Sequence, residues 1–320
     1  MPTDATIRIG VLKAGEVAEA ERIVRLAFGT FLGLPKPMEV MADRDFMTSR
    51  WRASHTQVVA ARQNGRLIGS NVVTRWGTFG FFGPLTVLPE YWDRGVATRL
   101  LEATMKVFAK WGLRRTGLCT FPHSAKHVGL YQKFGYWPRH LTAIMTRTPG
   151  PAPMAAKAAD APLLLSSFDK DRRKTMLDAC RRLTGTIDRG LDLTGEIQSA
   201  LAQQTGDIVL TSSRGILDAF AVCLHGVGSE GGEKTCYIKF AAARGGAGAG
   251  KRFDALLDDC ETFARLRGAN IEAGVNLARV DAFRRMRGRG YDVTTQSVAM
   301  LRPNADGHNR DDAYVIDDWR

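Results

Sequence analysis

Residues 7–12 alternate apolar and polar side chains, as a half-buried strand does. Val17, Ala20, Ile23, Val24, Ala27 and Phe28 then fall on one helical stripe. A weaker helical stretch covers residues 39–50. Residues 58–62 and 67–74 alternate as strands around Gln63-Asn64-Gly65, and Asn-Gly between alternating segments predicts a tight hairpin. Residues 79–87 predict a strand, 94–111 a long helix, 116–121 a strand, 124–134 a helix and 141–147 a strand.

The same grammar returns further along. Leu177, Cys180 and Leu183 mark a helix, 208–211 and 216–224 two strands, and 236–241 a third. A helix over 252–266, a strand over 271–274, a helix over 278–287 and a strand over 293–301 complete the series. In both halves a strand leads through a Gly-rich turn to helix, strand, helix and strand, which suggests a tandem duplication. Residues 149–162 are rich in Pro and Ala, show no apolar period and read as a linker. Residues 304–320 read as a polar, acidic tail. The division expected is thus 1–148, 149–162, 163–303 and 304–320.

Composition narrows the class. Hydrophobic residues at 44% and charged residues at 24% are globular values. No apolar run approaches the ~20 residues of a membrane span, and the N-terminus lacks a signal-peptide pattern, so a cytoplasmic protein with no membrane partner is expected. The five cysteines form no CxxC pair, which argues for free thiols rather than structural metal or disulfides. The net charge of +12 is uneven. Residues 1–150 carry 21 Lys and Arg against 10 Asp and Glu, so the first half calls for an anionic ligand, either nucleic acid or a phosphorylated small molecule. No helix-turn-helix, RNP or zinc-finger pattern supports nucleic acid.

Candidate chemistry concentrates in residues 85–101, Leu-Thr-Val-Leu-Pro-Glu-Tyr-Trp-Asp-Arg-Gly-Val-Ala-Thr-Arg-Leu-Leu. A strand runs into a turn of small residues and then into an amphipathic helix. The first amides of a helix lack internal partners and point, with the helix dipole, at whatever lies before them, which suits phosphate. The spacing is neither a Rossmann GxGxxG nor a Walker GxxxxGK[ST].

This run resembles motif A of the GNAT superfamily of N-acetyltransferases, a V-x-P strand end followed by (Q/R)-x-x-G-x-(G/A) before a helix. Val87, Pro89, Gly95 and Ala97 fit, while Trp92 departs from the usual Gln or Arg. A later family motif, N-x-x-A-x-x-L-Y-x-x-x-G-F, is similar to residues 124–136, where Leu130, Tyr131 and Gly135 match, Ser124 stands for Asn and Tyr136 for Phe. The resemblance implies an α/β fold of two tandem GNAT-like domains, each with a mixed, mostly antiparallel central sheet flanked by helices.

It also implies an acyltransferase of EC 2.3.1 type that moves acetyl from acetyl-CoA to a primary amine on a small molecule or peptide, without metal. The main chain at Leu85, Thr86 and Val87 would pair with the pantetheine arm. The amides of Arg94, Gly95, Val96, Ala97 and Thr98 would hold the pyrophosphate, Ser124 would join the cofactor contacts, and Tyr131 would protonate the leaving thiolate. Glu39, Asp45, His123 and His127 are candidates for the base. In the second half Gly248 and Gly250 take the places of Gly95 and Ala97, but Phe283 or Met286 stands at the tyrosine position, so a degenerate repeat is expected. Alternatives are a CoA-binding sensor without catalysis and a basic nucleic-acid-binding protein. A homodimer is compatible with the chain.

Overall fold

The computed structural model describes residues 6–150 and 161–320. Most of the expected linker, and the first five residues, lie outside the described residues. The first half contains β1 (Arg8–Val11), α1 (Val17–Phe31), α2 (Thr48–Arg52), β2 (Thr56–Gln63), β3 (Arg66–Trp76), β4 (Phe79–Val87), α3 (Val96–Lys110), β5 (Arg115–Thr120), α4 (Ala125–Gln132) and β6 (Trp137–Arg147). The second contains β7 (Leu163–Leu164), α5 (Lys170–Ile187), α6 (Thr194–Ala202), β8 (Gly206–Ser213), β9 (Ile216–Gly226), β10 (Gly232–Ala243), α7 (Ala249–Arg265), β11 (Asn270–Asn276), α8 (Val280–Gly288), β12 (Asp292–Arg302) and β13 (Val315–Ile316).

The Asn64-Gly65 turn forms as its sequence dictates, with both residues at positive φ (52° and 80°) joining β2 to β3. The helix expected over 39–50 does not form as one piece. Met41 and Ala42 are left-handed (φ 67° and 47°), which interrupts the helical path and leaves only the short α2. The α6 helix carries no clear apolar period and was not expected; it buries Ile197 and Ala200 on one side of the second half.

One mixed sheet runs through both halves in the order β1-β2-β3-β4-β5-β12-β6-β11-β10-β9-β8-β7, with β13 paired to β10. Its middle is an exchange of closing strands. β12, from the second half, pairs antiparallel with β5, and β6, from the first half, pairs antiparallel with β11. The two exchanged strands pair with each other.

The cores follow the exchange. Val298 and Met300 of β12 pack with Val24, Leu100 and Tyr136 of the first half. Ala143 and Met145 of β6 pack with Phe253, Cys260 and Ile271 of the second. A third cluster bridges both halves, with Trp76 against Phe81 and Phe240 at centroid distances of 4.7 and 5.5 Å. No helix among the described residues is long and apolar enough to cross a membrane.

Candidate functional site

The site begins where β4 and β5 part. They pair in parallel only from Phe79–Phe81 to Arg115–Gly117. Beyond Phe81, β4 continues to Val87 with β3 on one side alone, while β5 turns to β12. A wedge opens between them, and its β4 wall is a strand edge with no neighbouring strand, along which side chains already take the Gly83 and Val87 carbonyls. Within that wall the β3–β4 register slips between Leu85–Asn71 and Phe82–Val73, at Gly83-Pro84.

At the end of β4 the chain makes a short turn through Pro89–Tyr91 and reaches Gly95, left-handed at φ 74°, ψ 6°, before α3. The first bond of the helix runs from the Arg99 amide to the Gly95 carbonyl, 3.2 Å, so the amides of Val96, Ala97 and Thr98 are unclaimed within it. A Cβ placed on Gly95 would meet nothing within 4 Å, so the approach to these amides is open. A groove of about 930 Å³ runs from here between α3 and the edge strand β1, past Arg94, Arg99 and Lys106. These cations account for part of the uneven charge. The Trp92 indole donates to the Val87 carbonyl at 2.7 Å and fixes the end of β4.

The far wall is α4, which follows β5. Ser124 directly precedes it, and its Oγ lies 2.8 Å from Nδ1 of His127 rather than on a helix amide. Burial, then Lys126 and His123, lower the His127 pKa, so its ring is neutral at pH 7. Lys126 pairs with Asp93 at 2.5 Å, across the mouth from the turn before Gly95. One turn after His127, Tyr131 is buried with its ring edge-on to Phe82, 5.7 Å between centroids. Burial pushes the Tyr131 phenol up to about 12, against the pull of a hydrogen bond with Thr120. Phe82 and Thr120 lie on β4 and β5, the two strands that diverge, so Tyr131 stands at the wedge.

The expected cofactor residues therefore gather at one place: Leu85, Thr86 and Val87 on the β4 wall, Arg94 to Thr98 at the turn, Ser124 and Tyr131 on the opposing helix. An open left-handed glycine, unclaimed helix amides and a free strand edge fit a diphosphate followed by an amide-bearing arm. The base candidates scatter. Glu39 is exposed and paired with Lys36 at 2.9 Å. Asp45 spends one carboxylate oxygen on the amides of Met47 and Thr48. His123 and His127 belong to an aromatic group with Phe31, whose ring lies 6.3 and 5.0 Å from theirs. Sequence reasoning missed Arg50, which donates to the Gly83 carbonyl at 2.7 Å; nothing in a weak helical stretch distinguishes it.

The second half builds the same wedge and fills it. β10 and β11 pair in parallel from Thr235–Ile238 to Asn270–Ala273 and then part. Gly248 is left-handed like Gly95, at φ 77°, ψ 9°, and opens α7. Into this gap runs the segment that read as a polar tail. β13 pairs with Ala241 and Ala242, and the Ala243 amide donates to the Tyr314 carbonyl at 3.0 Å. The fully buried Arg279 holds it, donating to the Val315 carbonyl, Asn309 and Asp317 at 2.7–2.8 Å. Tyr237 donates to Asp318 at 2.6 Å, and Asp318 packs against Gly274, where any Cβ would meet it at 2.3 Å.

Residues 22–136 match the family model described as acetyltransferase (GNAT) family. No curated protein matches the chain. Among solved structures, the chain is similar to a putative acetyltransferase from Pyrococcus horikoshii, with a TM-score of 0.67 at 12% identity, covering 98% of this chain and 95% of that one. A GCN5-related N-acetyltransferase from Sphaerobacter thermophilus gives 0.58 at 15%, covering 92% and 95%. A GCN5-related glucosamine N-acetyltransferase region of a fungal multi-domain GH3 β-N-acetylglucosaminidase gives 0.63 at 14%, covering 93% and 38%. At these identities the likeness is one of fold.

Proposed function

We propose, from the match of residues 22–136 to the acetyltransferase (GNAT) family model, that the protein is an acetyl-CoA-dependent N-acetyltransferase acting on a primary amine, with its working site in the β4–β5 wedge. The observation that carries this reading is the meeting, at one opening, of the Gly95 turn, the free β4 edge and Tyr131.

Acetyl-CoA, when bound, supplies the acetyl thioester. The amides of Val96, Ala97 and Thr98, aided by the helix dipole and by Arg94 and Arg99, hold its diphosphate. The β4 edge over Leu85–Val87 orients the arm by main-chain pairing, and a main-chain amide of this stretch stabilises charge on the carbonyl oxygen. The amine nitrogen forms a bond to the acetyl carbon, the carbon–sulfur bond breaks, and the thiolate takes the Tyr131 proton. A phenol with its pKa raised by burial stays protonated at pH 7 and so remains a donor. The proton lost by the amine passes to water or to neutral His127.

The filled second wedge makes the second half a non-catalytic scaffold on this reading. Domain limits of 1–148 and 163–303 describe the two repeats by sequence, with β6 and β12 exchanged between them. The test is an acetyl-transfer screen over chemically diverse amines, read by free thiol release. A second reading, a CoA sensor without transfer, draws on Trp92, which takes the Val87 carbonyl that an incoming arm would use. Tight acetyl-CoA binding with no thiol release from any amine would favour it.

A further inference from the structure

Arg50 is only 5% exposed and joins three parts of the molecule. Its Nη1 donates to the Gly83 carbonyl at 2.7 Å. Its Nε and Nη2 donate to the two oxygens of Glu230 at 2.8 and 2.6 Å, and Nη2 also donates to the main-chain oxygen of Arg320 at 2.5 Å. Lys239 completes the cluster, donating to Glu230 at 2.9 Å and to the same Arg320 oxygen at 2.7 Å. Glu230 and Lys239 belong to the second half, and Arg320 follows the segment seated in the second wedge. The cavity beside them is about 20 Å³, the size of one water, so this is not a substrate chamber.

Gly83 lies inside the register slip of β4, where its carbonyl has no place in the ladder with β3, and Pro84 has no amide to offer. Left alone, this stretch of the wedge wall would be the least held part of β4. A guanidinium is a rigid planar fork that can satisfy a carboxylate on one side and a carbonyl on another. We propose that Arg50 is a positioning residue for acyl transfer: it clamps the β4 bend at Gly83-Pro84 to the second half and its seated tail, and so sets the direction of the wall that faces the thioester. Arg50 thus carries the second half's hold on the bend of this wall, beside the aromatic contacts that Phe79 and Phe81 make with Trp319 and Lys239 lower on β4. The kinetic part of the inference rests on the proposed transferase function; the structural part does not.

The test compares native protein with Arg50→Lys, which keeps the charge but loses the fork, and with Arg44→Lys. Arg44 also joins the halves, through Glu272 at 3.0 Å, and has no bond to β4. Hydrogen exchange of the peptide spanning residues 79–88 should rise at least about fivefold in Arg50→Lys alone, while that spanning 115–121 stays as in native protein. With an amine substrate in hand, kcat should fall at least about tenfold with acetyl-CoA affinity held within about twofold. Unchanged exchange in β4, or a parallel loss of cofactor affinity, overturns the inference. If Arg50→Lys fails to fold, Glu230→Gln, which loosens Arg50 from the second half while leaving its bond to Gly83, is read the same way, and unchanged exchange overturns it. A native protein that acetylates nothing sinks the transferase reading, while the exchange result still decides the clamp.

Discussion

The Tyr131 ring stands edge-on to Phe82 at 5.7 Å, which places a phenol beside the residue where β4 leaves β5. Tyr131→Phe keeps that aromatic contact and removes only the hydroxyl. Stability should change by no more than about 1 kcal/mol, because the ring keeps its packing and at most one hydrogen bond is at stake. Turnover should fall on the order of a hundredfold if the hydroxyl protonates the thiolate. Acetyl-CoA affinity, measured by calorimetry, should hardly move. Turnover equal to native would remove Tyr131 from the mechanism.

Gly95 and Gly248 share a left-handed geometry, at φ 74° and 77°, but face different surroundings. Glutamate at either position incurs about 1–2 kcal/mol of backbone strain. Gly95→Glu also sets a carboxylate before the amides of 96–98, and acetyl-CoA binding should disappear. Gly248→Glu should lower the melting temperature similarly and leave binding intact. Binding lost in Gly248→Glu and kept in Gly95→Glu would move the cofactor to the second half.

Local structure was legible where a residue has one physical use. Asn64-Gly65 could only be a tight turn, and Gly95 ahead of an amphipathic helix could only be its opening. What stayed hidden depends on partners. The alternation of β6 and β12 shows that each is a strand, yet nothing in it says that the two are exchanged between halves. Asp317 and Asp318 lie in a stretch that reads only as a polar, acidic tail, since carboxylates are rarely buried without a partner. Each is buried here through a specific partner far away in sequence, Arg279 and Tyr237.

The buried Arg279–Asp317 pair is one of the anchors that hold the tail in the second wedge, with the β13–β10 pairing and the Tyr237–Asp318 bond. Removing one member of a buried pair leaves the other uncompensated and costs about 3–5 kcal/mol. Arg279→Met should therefore lower the melting temperature sharply, whereas Lys126→Ala, which breaks the exposed pair with Asp93, should shift it little. Since the tail takes the strand edge of β10, native protein should bind one CoA per chain by native mass spectrometry. Two per chain would show that the tail yields to the cofactor.

Glu272 ties the halves to each other and should govern acid stability. Burial pushes its carboxyl upward, but Arg320 and Arg44 outweigh burial and hold it at about 2, below the usual 4.5. A depressed carboxyl pKa contributes stability that is complete above the unfolded value and is lost as pH falls through the folded one. The contribution, on the order of 3 kcal/mol, should therefore persist down to about pH 4.5 and fade towards pH 2. Glu272→Gln cannot titrate. At pH 7 it should melt well below native protein, because Arg44 and Arg320 lose their charged partner. Its melting temperature should then fall less steeply than native between pH 4.5 and pH 2, the curves converging at the acid end. Parallel curves across that window would mean that Glu272 is not held ionised in the folded protein. The acid transition would then fall to the other depressed carboxylates, among them Glu196, held at about 2 by His55 and Lys239 against its burial, and the buried Glu230 and Asp317.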